Sequence, residues 1–225
     1  MLFNVLRDGF SAQTIIALFA AVFVVFCTMP VHEYAHALVA TKLGDPTPRL
    51  SGRFTLNPMA HIDWIGALMI LLVGFGYAKP VSVNPRNFKN PKAGMAITAV
   101  AGPISNLLMA AVFILLKNVV SLFALQNLIA FAFYYFFMFA AIINIGLAVF
   151  NLIPIPPLDG SRILQLLIPS KYYFKYMRYE RYIMGAVLLL VFFGLLDRPL
   201  SFCVSAVWGL MDLTTGFVDA AFGMI

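Results

Sequence analysis

Two histidines four positions apart, with a glutamate beside the first, lie at the end of a long apolar stretch near the start of this chain. On a helix of 3.6 residues per turn, His32 and His36 point from the same face. Two imidazoles placed in this way can hold one metal ion together. Glu33 lies next to them, where its carboxylate could accept a proton from a water molecule at the metal.

The setting of this His-Glu-x-x-His pattern favours a metal site over a structural pair of histidines. No charged residue occurs between Gly9 and Val31, so the pattern belongs to a segment long enough to cross a bilayer. Ionisable side chains in such a segment are costly and commonly functional. The same spacing is found in zinc metallopeptidases, and it predicts one zinc ion per chain.

The composition excludes an ordinary soluble domain. Of the 225 residues, 62% are hydrophobic and 11% are charged, and the mean hydropathy is +0.93. These values predict an integral membrane protein that is embedded in, and interacts with, the lipid bilayer. The formal charge of +6 does not indicate nucleic-acid binding, because the basic residues lie between apolar runs. Cys27 and Cys203 lie in apolar stretches without metal-type spacing, so no disulfide is expected.

The apolar runs predict an all-α polytopic membrane protein with a single domain over residues 1–225. Spanning helices are expected at about 11–42, 93–117, 128–151 and 182–197. The first span has no cleavage-site pattern and is expected to be retained. It should end at Gly44, and Pro30 should kink it. A further apolar helix over 200–222 contains Asp212 and Asp219, which leaves open whether it spans or lies at the interface.

A shorter apolar piece, 64–77, cannot cross a bilayer that requires about 20 helical residues. The connections on its two sides, 42–63 and 79–92, are both basic. Because basic loops stay on one side of a membrane, this piece should enter and leave by the same face. We therefore predict a re-entrant or membrane-surface segment.

A second candidate functional residue follows the third predicted span. Residues 151–160 contain three prolines and end in Asp159-Gly160. The prolines forbid a regular helix, and irregular backbone near membrane depth is tolerated only where it lines a protein interior or a cavity. Asp159 is therefore a candidate functional carboxylate. Earlier in the chain, Gly102 to Asn106 place small and polar residues within the second span, which suits close helix packing.

The charge distribution predicts the orientation. The connections 42–63, 79–92 and 160–181 contain 12 of the 15 Lys and Arg residues, so they should be cytoplasmic and the N-terminus should lie outside. His32 is ten residues before Lys42, roughly 15 Å below that surface. Asp159 approaches the same side from another span.

A catalytic zinc usually has three protein ligands and one open position. His32 and His36 supply two. Asp159 is the favoured third ligand, because the ion would offset its buried charge. His61 is the competitor, in a segment close to the membrane surface.

Taken together, these motifs resemble the site-2 protease family of intramembrane zinc metalloproteases, in its compact bacterial branch. The motifs that carry the resemblance are His32-Glu33-x-x-His36, Leu56-Asn57-Pro58 with His61-Ile62-Asp63, Ala78-Lys79-Pro80-Val81, Ala101-Gly102-Pro103-Ile104-Ser105-Asn106 and the segment from Asn151 to Gly160. The sequence departs from this branch at Trp64, which usually corresponds to a proline.

The resemblance implies a three-span catalytic core in a bacterial inner membrane. It implies that His32, His36 and Asp159 bind zinc and that Glu33 is the catalytic base. The implied substrates are membrane-spanning proteins. No insertion is large enough for the PDZ domain of some relatives.

Two further residues are candidates for substrate contacts. Asn106 and Asn151 could hydrogen-bond the substrate backbone or a developing oxyanion, although packing between helices would also explain them. An unwound substrate could pair with the extended segment 152–157 or with 64–77. The alternative function is a catalytically silent zinc-binding scaffold or transporter. The presence of Glu33 favours the protease, and the sequence predicts no oligomeric state.

Overall fold

The computed structural model describes residues 11–73, 78–124 and 127–215, and every regular element in these ranges is a helix. Three of the helices are long and apolar enough to cross a membrane. This observation confirms the predicted all-α polytopic class.

The first spanning helix, α1, covers Ala12–Lys42. Pro30 does not break it, but a π-helical turn covers Val24–Thr28 just before. The backbone N–H of Met29 donates to the carbonyl of Val24, five residues earlier. Because proline has no N–H to donate, a shift of the bonding register beside it keeps the chain helical.

The end of α1 agrees with the prediction at Gly44. This glycine has φ of +105°, the left-handed region that a side chain disfavours. The N–H of Gly44 donates to the carbonyl of Thr41, and the N–H of Asp45 donates to that of Ala40. These two bonds form a Schellman motif, which turns the chain sharply after Lys42.

Three short helices follow: α2 (Thr47–Leu50), α3 (Pro58–His61) and α4 (Trp64–Val73). With ten residues, α4 is about 15 Å long, half the hydrocarbon thickness. The N–H of Lys79 donates to the carbonyl of His61 at 2.8 Å, so the chain returns to where the segment began. This contact supports a re-entrant segment. Residues 74–77 of the predicted segment lie outside the described residues.

The other two spanning helices are α5 (Pro91–Ala124) and α6 (Leu128–Leu152). They pack with α1 and α4 around one core. Alanines from all three spanning helices are fully buried there: Ala20, Ala21, Ala110, Ala140 and Ala141. Small side chains let the helix backbones approach closely, which is how helices associate where lipid removes the usual hydrophobic driving force.

The rest of the described chain forms α7 (Asp159–Leu164), α8 (Ser170–Met177), α9 (Glu180–Phe192) and α10 (Asp197–Thr215). The span predicted over 182–197 is not one helix. Gly194 has φ of +69°, and the N–H of Leu195 bonds back to Leu190, so α9 closes after 13 residues. This helix is about 20 Å long, which is shorter than a span.

The predicted helix over 200–222 begins earlier, at Asp197, and its residues 216–222 lie outside the described chain. Val204, Val207 and Trp208 of α10 pack against the core of the spanning helices. Lys117 of α5 pairs with Asp212 at 3.5 Å. This C-terminal helix therefore lies against the bundle.

Candidate metal centre

Three side chains converge where α1 meets the start of α7. The Nε2 atoms of His32 and His36 are 3.1 Å apart. The Oδ2 atom of Asp159 lies 3.4 Å from the first and 3.3 Å from the second. Both histidines are buried. Helical spacing brings the histidines together, whereas the aspartate comes from a distant part of the chain.

This triangle has the size that a tetrahedral zinc site requires. Zinc–nitrogen and zinc–oxygen bonds of about 2.0–2.1 Å give a tetrahedron with edges of about 3.3–3.4 Å. Asp159 Oδ2 is buried and has no hydrogen-bond partner among the described residues. A buried carboxylate oxygen facing two imidazole nitrogens is costly unless a cation lies between them. The donor set therefore fits zinc.

A contact behind the histidines orients one of them. Nδ1 of His36 lies 2.8 Å from the carbonyl oxygen of Thr98 on α5, so the ring donates its Nδ1–H there. The lone pair of Nε2 is then directed at Asp159 and at His32. Hydrogen bonds of this kind to the second ring nitrogen are typical of metal-ligating histidines.

Gly102 on α5 leaves the space between the ligands open. A methyl group at this position would lie 2.5 Å from Nε2 of His32 and closer still to Nε2 of His36. It would occupy the place where an ion contacts both rings. We therefore expect a side chain at this position to interfere with an ion shared by the two rings.

The local backbone presents Asp159 at the first position of α7. The residues from Ile153 to Leu158 are non-helical, as the prolines predict. Gly160 packs against the end of α6, and a Cβ atom there would collide with the carbonyl oxygens of Leu152 and Ile153. This close approach places the aspartate at the level of the histidines.

Glu33 lies on α1 beside His32 and is buried. Its Oε2 accepts a hydrogen bond of 3.2 Å from the backbone N–H of Val81. It lines a cavity of about 400 Å³ together with His32 and Asp159. A second cavity of about 120 Å³ also has Glu33 and Asp159 in its wall. The carboxylate is therefore held in place next to open space.

Both asparagines identified from the sequence line the larger cavity. Asn106 is buried, and neither its amide nitrogen nor its carbonyl oxygen has a hydrogen-bond partner among the described residues. Asn151 donates from Nδ2 to the carbonyl of Leu147 at 3.0 Å. Asn106 therefore has its full hydrogen-bonding capacity available, whereas Asn151 has mainly its oxygen.

His61 lies apart from this group. Its Nε2 lies 2.7 Å from the carbonyl oxygen of Thr55, so that nitrogen donates its proton to the backbone. Among the described residues, the group of side chains spaced for a metal contains His32, His36 and Asp159 but not His61.

Several contributors were not identified from the sequence. Gly102 was noted only as a small residue suited to helix packing, and the N–H of Val81 carries no side-chain signal. Glu180 of α9 also lines the larger cavity, although the sequence shows it only as one acid within a basic stretch. Each contribution depends on a contact between distant parts of the chain.

The fold and the site together define a multi-pass membrane protein with a two-histidine, one-carboxylate centre, the donor set of a metallopeptidase. Residues 115–194 match the model of peptidase family M50; this range includes Asp159 but not the histidines. No solved protein structure matches the chain.

Two relatives carry related names. The chain is 42% identical over 164 residues to the provisionally named zinc metalloprotease YwhC of Bacillus subtilis, covering 72% of this chain and 74% of the relative. It is 28% identical over 134 residues to the provisionally named zinc metalloprotease Rip2 of Mycolicibacterium smegmatis, covering 57% and 49%. The chain belongs to peptidase family M50, the site-2 protease family, and is a zinc metalloprotease.

Proposed function

We propose that this protein cleaves peptide bonds of membrane-spanning proteins, near the cytoplasmic face of a bacterial cell membrane. The observation that carries the proposal is the triangle of His32, His36 and Asp159 in the wall of a cavity that also contains Glu33. In a helix long enough to span a membrane, such a group is costly without a function.

The two histidines and Asp159 are proposed as the ligands of one zinc ion. Their distances match a tetrahedral site, and Asp159 Oδ2 has no other partner among the described residues. When bound there, zinc supplies a Lewis acid that lowers the pKa of water and polarises a carbonyl group.

Glu33 is the proposed general base. It is adjacent to a ligand in sequence, faces the cavity and is not itself in the ligand triangle. Its carboxylate takes a proton from the attacking water and then delivers it to the nitrogen of the leaving amine. The hydrogen bond from the N–H of Val81 to Oε2 leaves Oε1 available for this transfer.

Asn106 and Asn151 are proposed to bind the substrate backbone. The amide of Asn106 has no partner among the described residues, so it can donate to the carbonyl oxygen that becomes negative as water attacks. The carbonyl oxygen of Asn151 can accept from a substrate N–H. An unpaired buried amide costs roughly 1–3 kcal/mol, which a substrate contact would recover.

Substrates must unwind before cleavage, because a spanning helix satisfies its own backbone groups. The non-helical residues Pro157 and Leu158 lie in the cavity wall, next to the space that an unwound strand would enter. The orientation follows from the 12 of 15 basic residues in three connections, which favour the cytoplasm. Water then reaches the site from that side.

The decisive experiment uses the purified, reconstituted protein, a panel of single-span substrates and the variant Glu33→Gln. The amide keeps the size of the side chain but cannot accept the proton as a carboxylate does. We expect full zinc content and cleavage reduced by about 10²- to 10⁴-fold.

Asp212→Asn is the matched control, because it removes a carboxylate that pairs with α5 away from the metal centre and should leave cleavage unchanged. Wild-type cleavage rates in Glu33→Gln would exclude this role for Glu33. If the wild-type protein binds zinc but cleaves no member of the panel, the result would favour the alternative function, a catalytically silent zinc-binding scaffold or transporter.

A further inference from the structure

One acidic side chain at the basic end of the molecule makes no hydrogen bond or ion pair with a described residue, although it acts electrostatically on the nearby Tyr173. Four acids lie in or beside the three basic connections: Asp45, Asp63, Asp159 and Glu180. Asp45 accepts hydrogen bonds from two neighbouring segments. Asp63 accepts from two N–H groups at the start of α4, and Asp159 belongs to the metal centre. Glu180 makes no hydrogen bond or ion pair with any described residue.

The lack of an ion pair at Glu180 is informative, because the stretch 160–181 contains five Lys and Arg residues. None of the described basic groups lies within ion-pair distance of this carboxylate. Instead Glu180 is half-buried and lines the same cavity as His32 and Glu33. A carboxylate in that position is available to a ligand.

The face of α9 that lines the cavity has a polar end and an apolar remainder. Glu180, Met184, Leu188 and Val191 all contribute to the wall, at the spacing of one helix face. From the first to the last of them the helix rises about 16 Å. Leu147 and Phe150 of α6 also line the cavity, and Phe150 packs with Val191 in one buried cluster at its deep end. An unwound apolar segment with a cation at one end matches this track.

We propose that Glu180 binds a Lys or Arg that flanks the membrane segment of the substrate on its cytoplasmic side, while the apolar residues of α9 contact that segment. This inference rests on the proposed function, because it takes membrane-spanning substrates as given. Spanning segments carry an excess of Lys and Arg at their cytoplasmic ends. The substrate class is therefore single-span proteins with a basic cytoplasmic flank.

A purely structural role for Glu180 is the competing explanation. It lies in the first turn of α9, where a negative charge favours the helix dipole. Asp197 provides a matched control, because it lies in the first turn of α10 but is exposed and does not line the cavity. Charge reversal at the two positions affects helix termini alike, whereas only Glu180 faces the proposed binding track.

The test measures binding of three fluorescent single-span peptides to the zinc-loaded Glu33→Gln protein in lipid nanodiscs. The peptides are identical except for Lys, Gln or Glu at the first cytoplasmic flanking position. We expect the Lys peptide to bind about tenfold more tightly than the Glu peptide. Glu180→Lys in the same background should reverse this order, and Asp197→Lys should retain it.

Zinc content verifies that each variant is folded. If Glu180→Lys does not fold, Glu180→Gln should abolish the preference among the three peptides. The inference is overturned if the order is unchanged in the Glu180 variants, if Asp197→Lys also reverses it, or if the Glu33→Gln protein shows no preference or no binding. Because binding is measured without turnover, this outcome is independent of whether the enzyme cleaves membrane substrates.

Discussion

At the scale of single residues, we expect the proposed metal centre to depend on Gly102 as well as on its three proposed ligands. Replacing this glycine by alanine adds one methyl group against Nε2 of both His32 and His36. Alanine favours a helix interior by about 1 kcal/mol over glycine, so α5 itself should tolerate the change. We expect Gly102→Ala to lose zinc, measured by elemental analysis of the purified protein, while its helix content by circular dichroism stays unchanged.

Gly146→Ala is the matched control for this prediction. Gly146 also lies within a spanning helix, but no atom outside its own helical surroundings lies within 4 Å of the place that an added methyl group would take. It should keep a full complement of zinc. Full zinc occupancy in Gly102→Ala would show that the ion lies elsewhere than between the two rings.

The sequence predicted part of this centre because part of it is local. His32 and His36 lie four residues apart, and helical periodicity alone brings them together. Asp159 was reached from the prolines around it, from its expected depth and from the family resemblance. The N–H of Val81 and the open space at Gly102 were not predicted, because both depend on how α5 and the segment after α4 pack against α1.

At the scale of elements, Asp45 connects the end of α1 to the segment whose backbone hydrogen-bonds Glu33. It is fully buried just after α1. Its Oδ2 accepts from the N–H of Asn84 at 2.7 Å, and its Oδ1 accepts from Nδ2 of Asn87 at 2.6 Å. Val81, the donor to Glu33, lies three residues before Asn84. The carboxylate thereby fixes the position of that donor relative to the histidines.

Asp45→Asn should destabilise the fold at neutral pH by roughly 1–3 kcal/mol. Both carboxylate oxygens of Asp45 accept hydrogen bonds, and the amide nitrogen that replaces one of them in asparagine cannot accept. Burial favours the neutral acid, but hydrogen bonds from Thr47, Asn87 and Asn84 outweigh it and hold the pKa of Asp45 below its usual value of 3.8. A lowered pKa in the folded state means that the stabilisation is complete above about pH 4 and is lost as the pH falls through the folded-state pKa.

Thermal unfolding of wild type and Asp45→Asn at pH 7, 5 and 3 measures this difference. The difference in the free energy of unfolding between wild type and Asp45→Asn should be the same at pH 7 and pH 5, and it should become smaller at pH 3. Asp63→Asn is a suitable control, because asparagine also caps helices well and the loss should be small. If this stability difference disappeared between pH 7 and pH 5, the pH dependence would come from a histidine and not from Asp45.

Element boundaries were predictable where hydropathy and glycine signals agreed. The long helices α1 (Ala12–Lys42), α5 (Pro91–Ala124) and α6 (Leu128–Leu152) lie over the predicted ranges 11–42, 93–117 and 128–151, although α5 extends seven residues beyond its predicted end. The region 182–197 was misjudged because its apolar run continues through a turn, and Gly194 was not recognised as a helix end. Hydropathy measures the length of an apolar run, not the number of helices in it.

At the scale of the whole molecule, the predicted topology places both flanks of α4 on the cytoplasmic side. The bond between Lys79 and His61 joins these flanks. Single cysteines at Ser51 and Lys89, both exposed, should therefore react with an impermeant maleimide from the same face. The measurement uses inside-out and right-side-out vesicles and a background in which Cys27 and Cys203 are replaced by alanine.

A cysteine at Ser11, at the other end of α1, is the reference and should react from the opposite side. If the cysteines at positions 51 and 89 react from opposite faces, the re-entrant segment and the cytoplasmic assignment of the site both fail. The prediction rests on the excess of Lys and Arg over acidic residues in these connections. They carry no information on how the helices pack within the bundle.

The open space at Gly102 has a consequence for reading other sequences, if Gly102→Ala loses zinc as expected. A chain with alanine or a larger residue at this position could retain the two histidines, the glutamate and the later aspartate and still bind no metal ion. The added side chain would fill the space between the two imidazole rings. Loss of activity then needs no change at any ligand or at the base. The expected zinc loss in Gly102→Ala would then make the residue at this position a test of metal binding that the His-Glu-x-x-His motif itself does not contain.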